Sequence, residues 1–154
     1  MVSYAPCLMD AATIRAQVED DRAEWARLRA RLDAHPDGPL HDPEAPDWTS
    51  RDVYTHLAQM MQWTAREIER VAAGEPKRTY DASVSEDDWN AKLRERYQHM
   101  SLDEARKWAN EAFEQRERAI ESVPLERWDD ELVEVASHDG ADHFRGHLSY
   151  LVVD

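Results

Sequence analysis

Apolar residues recur three and four positions apart along most of this chain, the spacing that sets side chains on one face of an α-helix. Ile14, Val18, Trp25, Leu28 and Leu32 predict a first helix over about Asp10 to Ala34. The prolines and glycine of HPDGPLHDPEAPD, from His35 to Asp47, end it. Thr49, Ser50, Arg51 and Asp52 have the Thr-x-x-acid form of a capping box and open a second helix. Its stripe runs through Val53, Leu57, Met60, Met61, Thr64, Ile68 and Val71 to a stop at Gly74, with Pro76 behind it. After a polar link from Glu75 to Val84, a shorter helix over about Glu86 to His99 should turn Trp89, Leu93 and Tyr97 inward and serve as a crossover. Ser101 and Glu104 form another capping box, opening a long helix that carries Leu102, Ala105, Ala109, Ala112, Phe113, Ile120 and Val123 before Pro124 ends it. The stretch from Leu125 to His138 is ambiguous, because Leu132, Val133 and Val135 also suit extended chain. Asp139, Gly140, Ala141 and Asp142 then begin a last helix through Phe144, Leu148 and Leu151. Four long helices and one crossover piece predict an all-α four-helix bundle.

Composition strengthens that reading. The chain holds 4 Gly, and helix-favouring Ala, Arg, Glu and Leu recur throughout while β-branched residues are sparse. A chain of 154 residues buries enough surface for one good core and too little for two, so residues 1–154 are expected to form a single domain. Acidic residues number 33 against 19 basic ones, a formal charge of −14 with His neutral. That sign repels phosphate backbones, and no basic stretch offsets it locally, which removes nucleic acid as an expected partner. The N-terminal MVSYAPCLMDAATIRAQ lacks the basic start and apolar run of a signal peptide. No apolar run approaches the roughly 20 residues of a spanning helix. A cytoplasmic protein without membrane association is the expectation. Cys7 is the sole cysteine, so an internal disulfide and a cysteine zinc site are both excluded, and any metal must be held by His, Asp or Glu.

The sharpest local feature is His143-Phe144-Arg145-Gly146-His147. Residues four apart on a helix project from one face and can hold a cation jointly. Phe144, Leu148 and Leu151 follow the same side, which turns both His toward the bundle interior or its mouth. The pair alone also fits partly buried His residues satisfied by neighbouring carboxylates. His56 lies one residue before Leu57, at the edge of the second helix's apolar stripe. It is either a hydrogen-bonded packing residue or a third imidazole within reach of the pair. Three neutral imidazoles suit zinc or a similar borderline metal and leave a fourth position open to water or substrate.

The segment Asp47-Trp48-Thr49-Ser50-Arg51-Asp52-Val53-Tyr54-Thr55-His56-Leu57-Ala58 resembles the Trp-(x)n-His-Leu opening of the second helix in the DinB/YfiT-like metal-dependent bundles. That family is related to the N-terminal domain of mycothiol-dependent maleylpyruvate isomerase. Trp89-Asn90 and the Ser101-Leu102-Asp103-Glu104-Ala105 helix start are similar to its mid-chain stretch, and His143-x3-His147 to its closing His-x3-His. The likeness spans about residues 10 to 151. Two departures stand out. The isomerase branch has Glu where His143 stands, so the all-His set fits the broader DinB-like group better, and the isomerase carries a second, C-terminal domain that this chain ends too early to contain. The resemblance implies an up-down-down-up bundle with a long crossover after the second helix. It also implies a divalent metal, Zn2+ first and Ni2+, Fe2+ or Mn2+ as alternatives, bound by His56, His143 and His147 near one end. It implies further a thiol-dependent transferase or isomerase of the mycothiol type, or a hydrolase, acting on a small molecule. Homodimers are common among such bundles.

The chemistry accords with that range. Zinc deprotonates a coordinated thiol whose free pKa lies near 8.5, creating a nucleophile without a protein cysteine. The same position can instead lower the pKa of bound water toward 7. A competing reading is a non-catalytic bundle that sequesters a ligand or dimerises. Among other polar residues, Asp21 falls within the first helix's seam, either as a carboxylate orienting a ligand His or, preferably, as a salt-bridge partner of Arg116. Arg116 either grips a substrate carboxylate or snorkels out of the core. Asp139 reads as the N-cap of the last helix and His138 as a loop residue. His35, His41 and His99 fall in or beside loops. Trp48, Tyr54 and Trp63 are candidates for lining a pocket, although aromatics at helical spacing are usually core.

Overall fold

A computed structural model describes residues 10–78 and 82–151; Cys7 lies outside them. Every regular element in the described residues is helical. Helix α1 spans Ala11–Asp33, α2 Ser50–Ala72, α3 Glu86–Tyr97, α4 Leu102–Ser122, α5 Asp130–Ser137 and α6 Ala141–Leu148, with a 3-10 turn at Leu125–Arg127. Local chemistry sets the ends. Asp10 caps α1 by accepting from the Thr13 N–H at 2.7 Å. The predicted capping boxes of Thr49 with Asp52 and of Ser101 with Glu104 are both formed. Gly74 ends α2 at φ +86°, where its N–H bonds the Val71 carbonyl and the Glu75 N–H bonds Arg70, a Schellman pattern that a Cβ would strain.

The α2–α4 interface is the most extensive, because Ala105, Ala109 and Ala112 let the two backbones approach. Helix α1 packs on α6, and α5 on α2. The core falls into two apolar clusters. One joins Trp25, Leu28, Leu57, Phe113 and Phe144; the other joins Val18, Ile68, Ile120, Trp128 and Leu132. Between them in sequence register lie Asp21 on α1, Thr64 on α2 and Arg116 with Glu117 on α4, all buried. A polar layer therefore crosses the bundle.

Several expectations need correction. Leu125 to His138 is not extended but mostly helical: Asp129 caps α5 through the Leu132 N–H, and Leu132, Val135 and Ala136 bury one face at helical spacing. Trp89 is 41% exposed rather than inward. The described anchors of α3 lie toward its other end, where Arg94 bonds the Asp47 carbonyl, Tyr97 packs on Trp108, and Arg51 bonds the Gln98 carbonyl. The last helix is shorter than predicted, ending at Leu148, with Leu151 buried in the turn that follows.

Candidate metal centre

His56 projects from the second turn of α2, which its capping box fixes in register. His143 and His147 stand one turn apart on α6. One ring nitrogen from each of the three lies within 4.8 Å of the other two. The Nε2 atoms of His143 and His147 are 3.1 Å apart. Two ligands on a tetrahedral zinc at about 2.0–2.1 Å stand roughly 3.3 Å apart, so the spacing fits a shared cation.

The surroundings fix these rings. His143 Nδ1 meets Asp139 Oδ1 at 3.0 Å, and Asp139 Oδ2 accepts from Thr64 Oγ1 at 2.7 Å. His147 Nδ1 lies 2.6 Å from the Tyr150 hydroxyl. Both Nε2 atoms are thus left to face the common point, the arrangement in which a partner on the far nitrogen orients a metal-binding imidazole. His56 packs edge-on to Trp48, and its Nδ1 is buried without a hydrogen-bond partner. Burial, then the neighbouring His143, pushes the His56 imidazolium down to about 4. Burial, then His143 and His56, pushes that of His147 down to about 3. Both rings are neutral at neutral pH and have lone pairs to offer. Burial opposes ionisation of Asp139, but hydrogen bonds from His143 and Thr64 outweigh it and hold the carboxyl below its ordinary value. This donor set, all imidazole and backed by a carboxylate and a phenol, fits a divalent borderline metal.

Residues 18–148 match the family described as the mycothiol maleylpyruvate isomerase N-terminal domain, a span that includes all three His. The chain belongs to this family. No curated protein and no solved structure matches it significantly.

In this family member the three imidazoles open onto a cleft of about 1670 Å³. Its walls come from the proline-rich α1–α2 loop, from α3 and from α6, with Trp48, Asn90 and Tyr150 among the lining residues. Asp52 anchors that wall: buried at the start of α2, it pairs with Arg51 at 3.2 Å and Arg94 at 3.3 Å, tying α3 to the loop end of the bundle. Trp48 lines the cleft as anticipated. Tyr54 does not; it is fully buried in the core and donates to Asp33 at 2.7 Å. Trp63 faces a smaller hollow of about 400 Å³ with His138.

Asp21 and Arg116 are brought together at 2.8 Å, the preferred of the two sequence readings for Asp21. Arg116 neither snorkels nor reaches a substrate. It is wholly buried and bonds the carbonyls of Ala136 and His138 and the carboxylates of Asp21 and Glu117. Burial raises the Glu117 carboxyl above its usual range, against the pull of Arg116 and with the help of Asp21. Asp139 is not the N-cap of α6, which is Gly140 without a side-chain cap. The capping acceptor comes from α1 instead, since Asp21 Oδ1 takes the Ala141 N–H at 2.9 Å. Asp139 sits at φ +60°, one of two non-glycine residues at positive φ among those described, and this turns its carboxylate back onto His143. Sequence reasoning missed both Asp139 and Tyr150 as partners of the ligand pair. The signal was their spacing, four before His143 and three after His147.

Proposed function

We propose that this chain is a metal-dependent enzyme that binds a divalent cation, zinc foremost, through His56, His143 and His147 and acts on a small molecule with a low-molecular-weight thiol as cosubstrate. The observation that carries the proposal is the convergence of three imidazoles from two distant segments at the floor of a cleft. Three protein ligands leave a tetrahedral cation one open position, the mark of catalytic rather than structural zinc sites. The family description supports thiol chemistry, since it names mycothiol. A bound zinc would supply Lewis acidity, converting a coordinated thiol to thiolate at neutral pH.

The chain's own residues do the rest. His56, His143 and His147 supply imidazole donors, Asp139 and Tyr150 fix two of the rings, and the buried walls around His56 keep water from its far side. Trp48 and α3 bound the space where substrate and thiol would meet. The test is metal stoichiometry on protein purified without a nickel column. Wild type should take up one zinc and melt at a higher temperature with it. His56→Ala, His143→Ala and His147→Ala should each lose the metal while keeping wild-type helicity by circular dichroism. Absence of zinc binding by the wild type overturns the proposal. On the cobalt-substituted protein, a thiol should bring in a sulfur-to-metal charge-transfer band; water-only spectra at saturating thiol would favour a hydrolase.

A further inference from the structure

We propose that the cleft above the three imidazoles selects, for the open metal position, a small molecule bearing an ammonium group and turns away molecules bearing a carboxylate or phosphate. This selectivity rests on the metal-binding reading above and deepens it by naming the charge of the ligand.

The cleft is a site on grounds apart from its charge. Three imidazoles meet at its floor, and one of them, His56, is 9% exposed and holds a ring nitrogen without a hydrogen-bond partner. The walls above them are one-sided in sign. On α3 the lining repeats at helical spacing, from Glu86 and Asp87 in the first turn through Asn90 to Glu95. The proline-rich loop before α2 adds Asp42, Glu44 and Asp47. Two arginines, Arg51 and Arg94, also line the cleft, but both are tied back. Arg51 meets Asp52 Oδ1 at 3.2 Å and donates to the Gln98 carbonyl at 2.9 Å. Arg94 meets Asp52 Oδ2 at 3.3 Å and donates to the Asp47 carbonyl at 3.1 Å. With both arginines set against the buried Asp52, and a divalent cation on the imidazoles, negative charge still exceeds positive.

On the outer faces exposed cations answer exposed carboxylates, as Arg22 does Glu114, Arg145 does Asp20 and Lys77 does Glu134. In the cleft none does: among the described residues, the carboxylates of Glu44, Asp47, Glu86, Asp87 and Glu95 have no ion-pair partner. The helix dipole accounts for Glu86 and Asp87, since acids stabilise a first turn. It does not account for Glu95, which stands in the last turn of α3, where negative charge is unfavourable. Trp48 lines the same cleft beside His56, and an indole attracts an organic cation. Unpaired carboxylates around an aromatic wall suit an ammonium group. A carboxylate or phosphate would enter against the field and find both arginines already engaged.

The experiment uses the full chain saturated with cobalt, at pH 7.5 and low salt. Three thiols of similar size are the probes: cysteamine, which carries an ammonium, 2-mercaptoethanol, which is uncharged, and mercaptoacetate, which carries a carboxylate. The sulfur-to-metal charge-transfer band reports each affinity. Each thiol is compared between wild type and a Glu44→Gln, Asp47→Asn, Glu95→Gln triple variant, so that differences in thiol acidity and chelation cancel. A unit charge acting through about 8 Å of water changes affinity roughly twofold. Loss of three such charges should therefore weaken cysteamine by about eightfold, strengthen mercaptoacetate by a similar factor and move 2-mercaptoethanol by less than about twofold. In wild type, raising salt from about 20 mM to about 500 mM should weaken cysteamine and strengthen mercaptoacetate, a readout independent of how the variant folds. Parallel responses of the three thiols to the triple variant, or a salt dependence common to all three, overturn the inference and leave metal binding intact. Cobalt uptake with no sulfur band from any of the three overturns the thiol reading and this inference together. Wild type that takes up no cobalt overturns the parent proposal as well.

Discussion

Replacing Asp21 by Ala tests how α6 is held. Two interactions are lost at once. Arg116, wholly buried, loses one of its two carboxylate partners, and the Ala141 N–H at the start of α6 loses its only cap. Breaking a buried ion pair by removing one partner costs about 3–5 kcal/mol. The lower end applies, because Glu117 remains 2.6 Å from Arg116 and loses the part of its upward shift that Asp21 adds to that of burial. Loss of the cap adds about 1 kcal/mol. The sum is about 4 kcal/mol, and for a chain of this length that lowers Tm by roughly 8–16 °C. Asp21→Asn keeps an acceptor for Ala141 while discarding the charge, so it should recover about 1 kcal/mol of the loss. The assay is urea unfolding of metal-free protein followed by circular dichroism at pH 7.5. An Asp21→Ala cost below about 1 kcal/mol would refute the reasoning, showing that Glu117 and the two carbonyls suffice for Arg116 and that the cap is dispensable.

Two further expectations concern the His cluster. In metal-free protein, His56 and His147 have folded pKa values below the unfolded value of 6.5, so the unfolded chain binds more protons between pH 6.5 and about 4. Stability contributed by these neutral rings is therefore full above pH 6.5 and falls on acidification, by up to roughly 2.7 kcal/mol per pH unit where both sites differ by a full proton. Unfolding curves at pH 5 and pH 7 for wild type and a His56→Gln, His147→Gln double variant should show that excess slope in the wild type alone; identical slopes would refute it. Asp139→Asn removes the charged partner of His143 Nδ1 and should weaken zinc by about 10–100-fold at unchanged helicity, read by competition with a chromophoric chelator. Undiminished affinity would deny Asp139 any part in orienting that ring.

Elements defined by near neighbours in the chain could be read from sequence; those defined by distant partners could not. The capping boxes at Thr49 and Ser101 and the Gly74 stop each depend on residues within a turn, and all were legible. The His-x3-His pair was legible for the same reason, and His56 from its place beside an apolar stripe. The stretch from Leu125 to His138 stayed ambiguous because its burial is supplied from outside: Arg116 takes the carbonyls of Ala136 and His138, and α2 covers Leu132 and Val135. Asp139 misled because Asp before a helix normally caps it, and here its positive φ redirects the carboxylate onto His143. Trp89 misled because periodicity reports which side of a helix is apolar, not how much of that helix reaches the core.

The short length of α6 explains why a buried charge cluster lies beside the His pair. A helix of 8 residues has little stability of its own, since nucleation consumes most of what so few hydrogen bonds return. Its position must come from outside, and the structure provides three fixings: Asp21 at its first N–H, Phe144 in the apolar core, and Leu151 just past its end. The first is the most exacting. A Cβ at Gly140 would stand 2.6 Å from Arg116 Nη2 and 2.7 Å from Asp21 Oδ1, so the backbone is seated directly on the ion pair and only glycine fits. An apolar layer in place of Asp21, Arg116 and Glu117 could well be more stable, as buried ion pairs often lose to hydrophobic replacements. It would offer no hydrogen-bond acceptor to the first turn of α6 and no donors to the last carbonyls of α5. The polar layer thus gives up stability to fix the register of the helix on which His143 and His147 stand, and with it the separation of two imidazoles that must meet one cation.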